Sequence, residues 1–168
     1  VSVQTSTGYT TENFALWPGA LPVLLMFTTF IGGCAGSTGG GMKVIRWLIV
    51  FRQGVAELKQ LVHPSAEVPV KLAGRPAPQR IILGVGGYFA MYLIVFAVFM
   101  LLLMMFDMDQ VTAWSAVAAS LNNVGPGLAE VTMTFRDVSD SAKWVCAIAM
   151  LIGRLEIFAL LLLLTPAF

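Results

Sequence analysis

The sequence predicts an all-α integral membrane protein, built from repeats of a span, a short re-entrant helix and a second span. Hydrophobic residues make up 58% of the chain and charged residues 11%, whereas soluble domains average about 25% charged residues. The charges are also unevenly placed, since seven of the ten Lys and Arg lie between Lys43 and Arg80 with only two acids. The positive-inside rule puts this basic segment in the cytoplasm.

Three apolar segments are expected to cross the bilayer, because about 20 apolar residues span its hydrocarbon core. The first begins near Ala20, passes through a glycine-rich stretch and ends near Phe51. The second is Ile81–Phe106, 26 residues without a charge, and the third is Trp144–Phe168. Between them, Val111–Leu121 is too short to span and has the length of a re-entrant helix.

The glycine-rich stretch, Gly32–Gly41, interrupts the first of these spans. Six of its ten residues are glycine, and each glycine in a helix interior costs about 1 kcal/mol relative to alanine. Non-helical backbone at membrane depth is tolerated only where it is buried in protein or lines a cavity. A helix-packing surface is the alternative, since Gly32 and Gly36 have the small-xxx-small spacing. A phosphate-binding loop is excluded, because Met42 stands where that motif has lysine.

Two short glycine-containing strings occupy equivalent places in the predicted repeat. Asn122–Gly127 follows the short helix and precedes an outer loop and a span, and Thr5–Tyr9 also precedes an outer loop and a span. The chain therefore holds about one and a half copies of one repeat, and is expected to be the C-terminal part of something longer. Thr5–Tyr9 resembles the Thr-Val-Gly-Tyr-Gly filter of potassium channels, whose carbonyls replace the hydration shell of the ion. Taken alone, an ordinary Ser/Thr/Gly outer loop is the alternative.

Together these strings resemble the TrkH/KtrB/HKT superfamily of potassium transporters, and bacterial TrkH most closely. The matching strings are Thr7–Thr11, Gly33–Lys43, Asn122–Gly127 and Gly153–Glu156. The resemblance implies four repeats around one pore, of which this chain is the C-terminal half. Residues 1–53 would end repeat three, residues 54–80 would form a cytoplasmic basic linker, and residues 81–168 would form repeat four. The implied activity is potassium uptake, alone or by symport with sodium or protons, through a multi-pass protein of the bacterial inner membrane.

The resemblance also assigns roles to individual residues. The filter carbonyls would come from Ser6, Thr7, Gly8, Asn123, Val124 and Gly125. The gate loop would be Gly36, Ser37, Thr38, Gly39, Gly40 and Gly41, a segment that blocks ions at rest. Arg154, about ten residues into the last span and therefore roughly 15 Å deep, would form an electrostatic barrier in the pore. Lys43 and Glu156 would be supporting polar residues.

The same resemblance implies a homodimer that binds a cytoplasmic TrkA-type regulatory subunit, which binds nucleotides. Membrane lipids are expected partners and nucleic acid is not. No cofactor is expected, since potassium is the transported ion. An enzyme is not expected, because the single histidine, His63, has no acid pair near it and no nucleophile–His set is present. The alternative to a conducting protein is a structural or assembly membrane subunit without its own conduction.

Overall fold

The computed structural model describes residues 2–9, 12–34, 40–63, 69–72, 75–132 and 134–155. Its helices are α1 (Leu21–Thr29), α2 (Val44–Val62), α3 (Gln79–Met104), α4 (Gln110–Leu121) and α5 (Asp140–Arg154). Single 3₁₀ turns lie at Phe14–Leu16 and Ala129–Val131, and one antiparallel hairpin pairs β1 (Lys71–Leu72) with β2 (Arg75–Pro76). Helices dominate, as the composition predicts, and the hairpin is a small addition within the basic segment.

The α3 helix contains most of the uncharged segment predicted to span the bilayer, and it also includes Gln79 and Arg80 ahead of that segment. It begins directly after Pro78, whose extended backbone ends the preceding loop. Within the described ranges, α3 is the one helix long and apolar enough to cross a membrane. Large apolar side chains such as Leu93, Ile94 and Leu101 are exposed along it, as they would be on a surface that faces lipid or further protein.

The first predicted span is broken into two helices by the glycine-rich stretch. Helix α1 ends at Thr29 and α2 begins at Val44. Helix α2 then continues to Val62, beyond the end predicted near Phe51 and through the start of the predicted linker. The continuation has a physical reason, because Phe51, Val55 and Leu58 repeat at helical spacing beside the polar residues that follow Phe51.

Helix α4 lies at the centre of the fold, packed against α1, α3 and α5. Its side chains from Ser115 to Leu121 are all buried. The Asp109 carboxylate caps its first turn by accepting a hydrogen bond from the Val111 N–H at 3.2 Å. A helix of 12 residues that is packed among three other helices has the form predicted for the re-entrant segment.

Helix α5 begins at Asp140, ahead of the predicted start at Trp144. The Ser139 hydroxyl accepts a hydrogen bond from the Ala142 N–H at 3.4 Å and so caps the helix earlier. Asp140 in the first turn also interacts favourably with the positive end of the helix dipole. The predicted continuation of this span to Phe168 lies outside the described residues.

Candidate functional site

The two predicted filter strings, taken as Ser6–Gly8 and Asn123–Gly125, have positive φ at equivalent positions. Ser6 and Asn123 have φ values of 56° and 52°, and Gly8 and Gly125 have φ values of 78° and 99°. Positive φ at alternate positions turns successive carbonyls toward one side of the chain, and glycine adopts it without a steric penalty. Each string therefore places a left-handed residue at its first and third positions, as a carbonyl-lined filter requires.

The hydrogen bonds that lead into the two strings also match. Thr7 N–H donates to the Ser2 carbonyl at 2.9 Å, and Val124 N–H donates to the Ala119 carbonyl at 2.9 Å. Around Asn123 this is the Schellman arrangement that ends a helix in a left-handed residue. The backbone at Ser2–Thr7 is thus shaped like the C-terminal end of α4, which is the local evidence for a structural repeat.

The two strings lie against each other although they are far apart in sequence. A Cβ placed on Gly8 would overlap with the carbonyl oxygen of Val124 and would lie 3.6 Å from Pro126 Cδ. The Ser6 hydroxyl donates a hydrogen bond to the Asn122 carbonyl at 3.2 Å. The structure therefore brings together all six predicted filter residues in one place.

Helix α4 aims its C-terminal end at the second string. The aligned peptide dipoles give that end a partial negative charge, which attracts a cation. The returning chain is fixed at its far end, because the buried Ser115 hydroxyl accepts a hydrogen bond from the Leu128 N–H at 3.0 Å. Gly127 N–H donates to the Val131 carbonyl at 2.9 Å, which closes the turn beyond it.

Asn122 is a site residue that the sequence reasoning did not single out. It is fully buried, its Oδ1 accepts a hydrogen bond from the Tyr92 hydroxyl at 2.9 Å, and its Nδ2 donates one to Thr29 Oγ1 at 3.1 Å. The only sequence signal was its place directly after the short helix. A buried amide whose side chain uses both its acceptor and its donor fixes its orientation in the fold.

The two ends of the glycine-rich stretch lie next to each other and are joined by hydrogen bonds. Gly32 N–H donates to the Met42 carbonyl at 2.7 Å, and Met42 N–H donates to the Phe30 carbonyl at 3.1 Å. A Cβ on Gly40 would overlap with the Asn122 carbonyl oxygen, so this end of the stretch touches the end of α4. Of the predicted gate residues, Gly40 and Gly41 are described, and Gly36, Ser37, Thr38 and Gly39 lie outside the described residues. Lys43 stands at the start of α2.

The C-terminal end of α5 packs against the same part of α4. A Cβ on Gly153 would overlap with the Leu121 carbonyl oxygen and would lie 3.0 Å from Asn123 Nδ2. The Asn123 side chain donates a hydrogen bond to the Met150 carbonyl at 3.2 Å. Arg154 follows Gly153 as the last residue of α5 and is exposed. Glu156 lies outside the described residues.

The two strings offer uncharged oxygen atoms, those of backbone carbonyls and of the Ser6 and Thr7 hydroxyls. In the part of the chain that the structure describes, no three His, Cys, Asp or Glu side chains gather in a way that could hold a metal ion. The strings themselves carry Ser, Thr, Gly, Asn and Val, none of which is charged. Uncharged ligands of this kind would hold an ion weakly, which suits an ion that must enter and leave quickly.

A model of the TrkH family, described as a cation transport protein, matches residues 1–167. The Trk system potassium uptake protein TrkH of Vibrio parahaemolyticus is 59% identical over 168 residues, which are 100% of this chain and 35% of that protein. TrkG of Escherichia coli, also named a Trk system potassium uptake protein, is 37% identical over 99% of this chain and 34% of its own length. The chain thus spans about a third of the length of these relatives.

A solved structure has the same fold. The crystal structure of the potassium transporter TrkH from Vibrio parahaemolyticus superimposes with a TM-score of 0.92 and 59% identity. The match covers 99% of this chain and 36% of that one. The all-helical membrane fold predicted from the sequence is therefore confirmed.

Proposed function

This chain belongs to the TrkH family of cation transport proteins, and we propose that it forms part of the wall and filter of a potassium uptake pathway. The observation that carries the proposal is the matched geometry of Ser6–Gly8 and Asn123–Gly125, with left-handed residues at equivalent positions. Relatives that are named potassium uptake proteins match the whole chain, which supports potassium as the ion.

In the proposed filter, backbone carbonyls of the two strings replace water around a potassium ion. The strings contribute part of a ring, because the chain spans only about a third of its relatives. The negative end of the α4 dipole stabilises the ion electrostatically without binding it directly. Because carbonyls do not titrate, conduction through this filter is expected to be insensitive to pH near neutrality.

We propose that the segment Gly36–Gly41 is a gate next to the filter. Support comes from the close approach of Gly40 to the Asn122 carbonyl, which places the described end of the segment within reach of the second string. Glycine backbone can enter a narrow pore because it has no side chain. Lys43, at the N-cap of α2, is proposed as a supporting polar residue at the C-terminal end of this segment.

Arg154 is proposed as the electrostatic barrier of the pathway. It follows Gly153, which packs on the backbone at the end of α4. The positive charge of its guanidinium would repel cations that enter the pathway. Glu156 is proposed as a supporting polar residue that bonds to a neighbouring helix or to the gate segment.

The assembly and location of the protein are also proposals. The Trk system naming of the relatives supports a protein with several components, and we propose a homodimer that binds a TrkA-type regulatory subunit. The basic segment between Lys43 and Arg80 supports a cytoplasmic face in the bacterial inner membrane. Residues 1–53 and 81–168 are proposed as parts of two pore repeats joined by the linker 54–80.

The proposal is tested in a complete transporter that carries this chain, expressed in bacteria that lack their own potassium uptake. The unaltered protein is expected to restore growth at low potassium. Gly125→Val places a branched side chain at φ 99° and is expected to reduce potassium uptake and its preference over sodium. Unchanged uptake and selectivity in well-expressed Gly125→Val would instead favour a structural or assembly subunit.

A further inference from the structure

The side chain of Asn122 connects two membrane helices through the end of α4. Tyr92 on α3 donates its hydroxyl proton to Asn122 Oδ1 at 2.9 Å, and Asn122 Nδ2 donates to Thr29 Oγ1 on α1 at 3.1 Å. Tyr92, Asn122 and Thr29 are each at most 3% exposed. Water does not compete with these hydrogen bonds, so each one restricts the geometry strongly.

The direction of the hydrogen bonds is fixed along this path. The Thr29 hydroxyl has one proton, which it donates to the Met26 carbonyl at 2.6 Å. Thr29 must therefore act as an acceptor toward Asn122, and only the amide NH₂ can supply the donor. The amide oxygen is then left to face the Tyr92 hydroxyl, so the path runs in one direction from Tyr92 to Met26.

The same residue is attached directly to both filter strings. Its backbone carbonyl accepts a hydrogen bond from the Ser6 hydroxyl at 3.2 Å. Its peptide bond leads to Asn123, the left-handed residue that opens the second string with φ 52°. A rotation of the Asn122 backbone would therefore move the carbonyl that Ser6 contacts. It would also move the carbonyl of Asn123, the first one of the second string.

We propose that Asn122 is a positioning residue that sets the spacing of the two filter strings by tying them to α1 and α3. This inference rests on the proposed potassium filter. Selection between ions of similar charge depends on how closely the carbonyls keep their arrangement. A ligand shell keeps its geometry only when the groups that support it are themselves held in place.

The experiment removes one hydroxyl at a time and leaves Asn122 unchanged. Tyr92→Phe and Thr29→Val are nearly isosteric and delete one partner each. Thr28→Val is the matched control, because the neighbouring Thr28 is exposed and its hydroxyl also donates to a carbonyl of its own helix, Leu25 at 2.7 Å. Thr29→Ser keeps the hydroxyl and serves as the conservative variant. The ratio of potassium to sodium permeability is measured for complete transporters in liposomes, with thermal stability measured in parallel.

Tyr92→Phe and Thr29→Val are expected to lower the permeability ratio by about threefold or more, a factor typical of losing one hydrogen bond. Thr29→Ser and Thr28→Val are expected to keep the ratio of the unaltered protein. Normal potassium flux with an unchanged ratio in both Tyr92→Phe and Thr29→Val would overturn the positioning role, whatever their melting temperatures. An unaltered transporter that carries no potassium would overturn the proposed function itself.

Discussion

The carbonyl oxygen of Val124 occupies the space that a Cβ on Gly8 would need. These two residues belong to the two proposed filter strings, so the strings meet backbone to backbone at this point. Pro126 Cδ also lies 3.6 Å from that Cβ position. The contact explains why the first string has glycine at this position in addition to the requirement for φ 78°.

Gly8→Ala is expected to reduce potassium uptake and the preference for potassium over sodium. The added methyl group must displace Val124, and the left-handed backbone adds about 1–2 kcal/mol of strain. Gly19→Ala is the matched control, since Gly19 has φ 69° but no atom within 4 Å of its Cβ position. Ion flux assays of both variants separate backbone strain from filter damage. Equal losses in the two variants would show that strain alone is responsible.

Gly153→Ala is expected to lower the melting temperature and alter ion flux. Its methyl group would meet the carbonyl of Leu121 and the side-chain amide of Asn123, and backbone at the end of a buried helix cannot shift easily. We expect destabilisation of about 1–3 kcal/mol. Gly84→Ala in α3 meets nothing within 4 Å in this chain and is expected to stabilise the helix by about 0.5–1 kcal/mol. Thermal unfolding in detergent would contradict this account if the two variants shifted in the same direction.

Deletion of Ser37–Gly39 is expected to raise potassium flux at rest without lowering the melting temperature. The hydrogen bonds that join Met42 to Gly32 and to Phe30 flank the deletion and are expected to keep α1 and α2 in place. Flux is measured in liposomes without regulatory subunits, and melting by circular dichroism. A purely structural role for the segment would give the opposite pattern, with lower stability and no increase in flux.

Arg154→Ala is expected to increase potassium flux, because it removes the positive charge at the end of α5. Arg154→Lys keeps the charge and is expected to change the flux little. Lys143→Ala is the control on the same helix, since Lys143 pairs with Asp140 at 3.0 Å on the exposed surface and such pairs contribute about 0–1 kcal/mol. Reduced flux in a well-folded Arg154→Ala protein would argue against a barrier.

The sequence was sufficient to predict the long helix α3, the short helix α4 and the equivalent placement of the two glycine-containing strings. Each has a local signal: an uncharged apolar run, a run too short to span, and glycines in a repeated setting. The reach of α2 to Val62 was missed, because the charges after Phe51 resemble the end of a span although they continue one face of an amphipathic helix. The role of Asn122 was also missed, since its partners Tyr92 and Thr29 are distant in sequence and only packing brings them together.

Glycine positions in the sequence likewise do not show which backbone they approach. Gly40 and Gly153 pack against consecutive carbonyls at the end of α4, those of Asn122 and Leu121. Composition predicts that these segments are irregular or closely packed, but the identity of the neighbour depends on the tertiary arrangement. The segments of the site can therefore be predicted from the sequence, whereas the contacts between them can be predicted only in part.

The parallel bridge between Ile31 and Met42 brings the two ends of residues 32–41 together. Because this bridge fixes the orientation of α1 and α2, the positions of these two helices depend little on the number of residues between them. Doubling the length of a flexible loop costs only about 0.6 kcal/mol in closure entropy. Changes in the length of residues 32–41 are therefore expected to leave the surrounding framework the same, whatever their effect on the proposed gate.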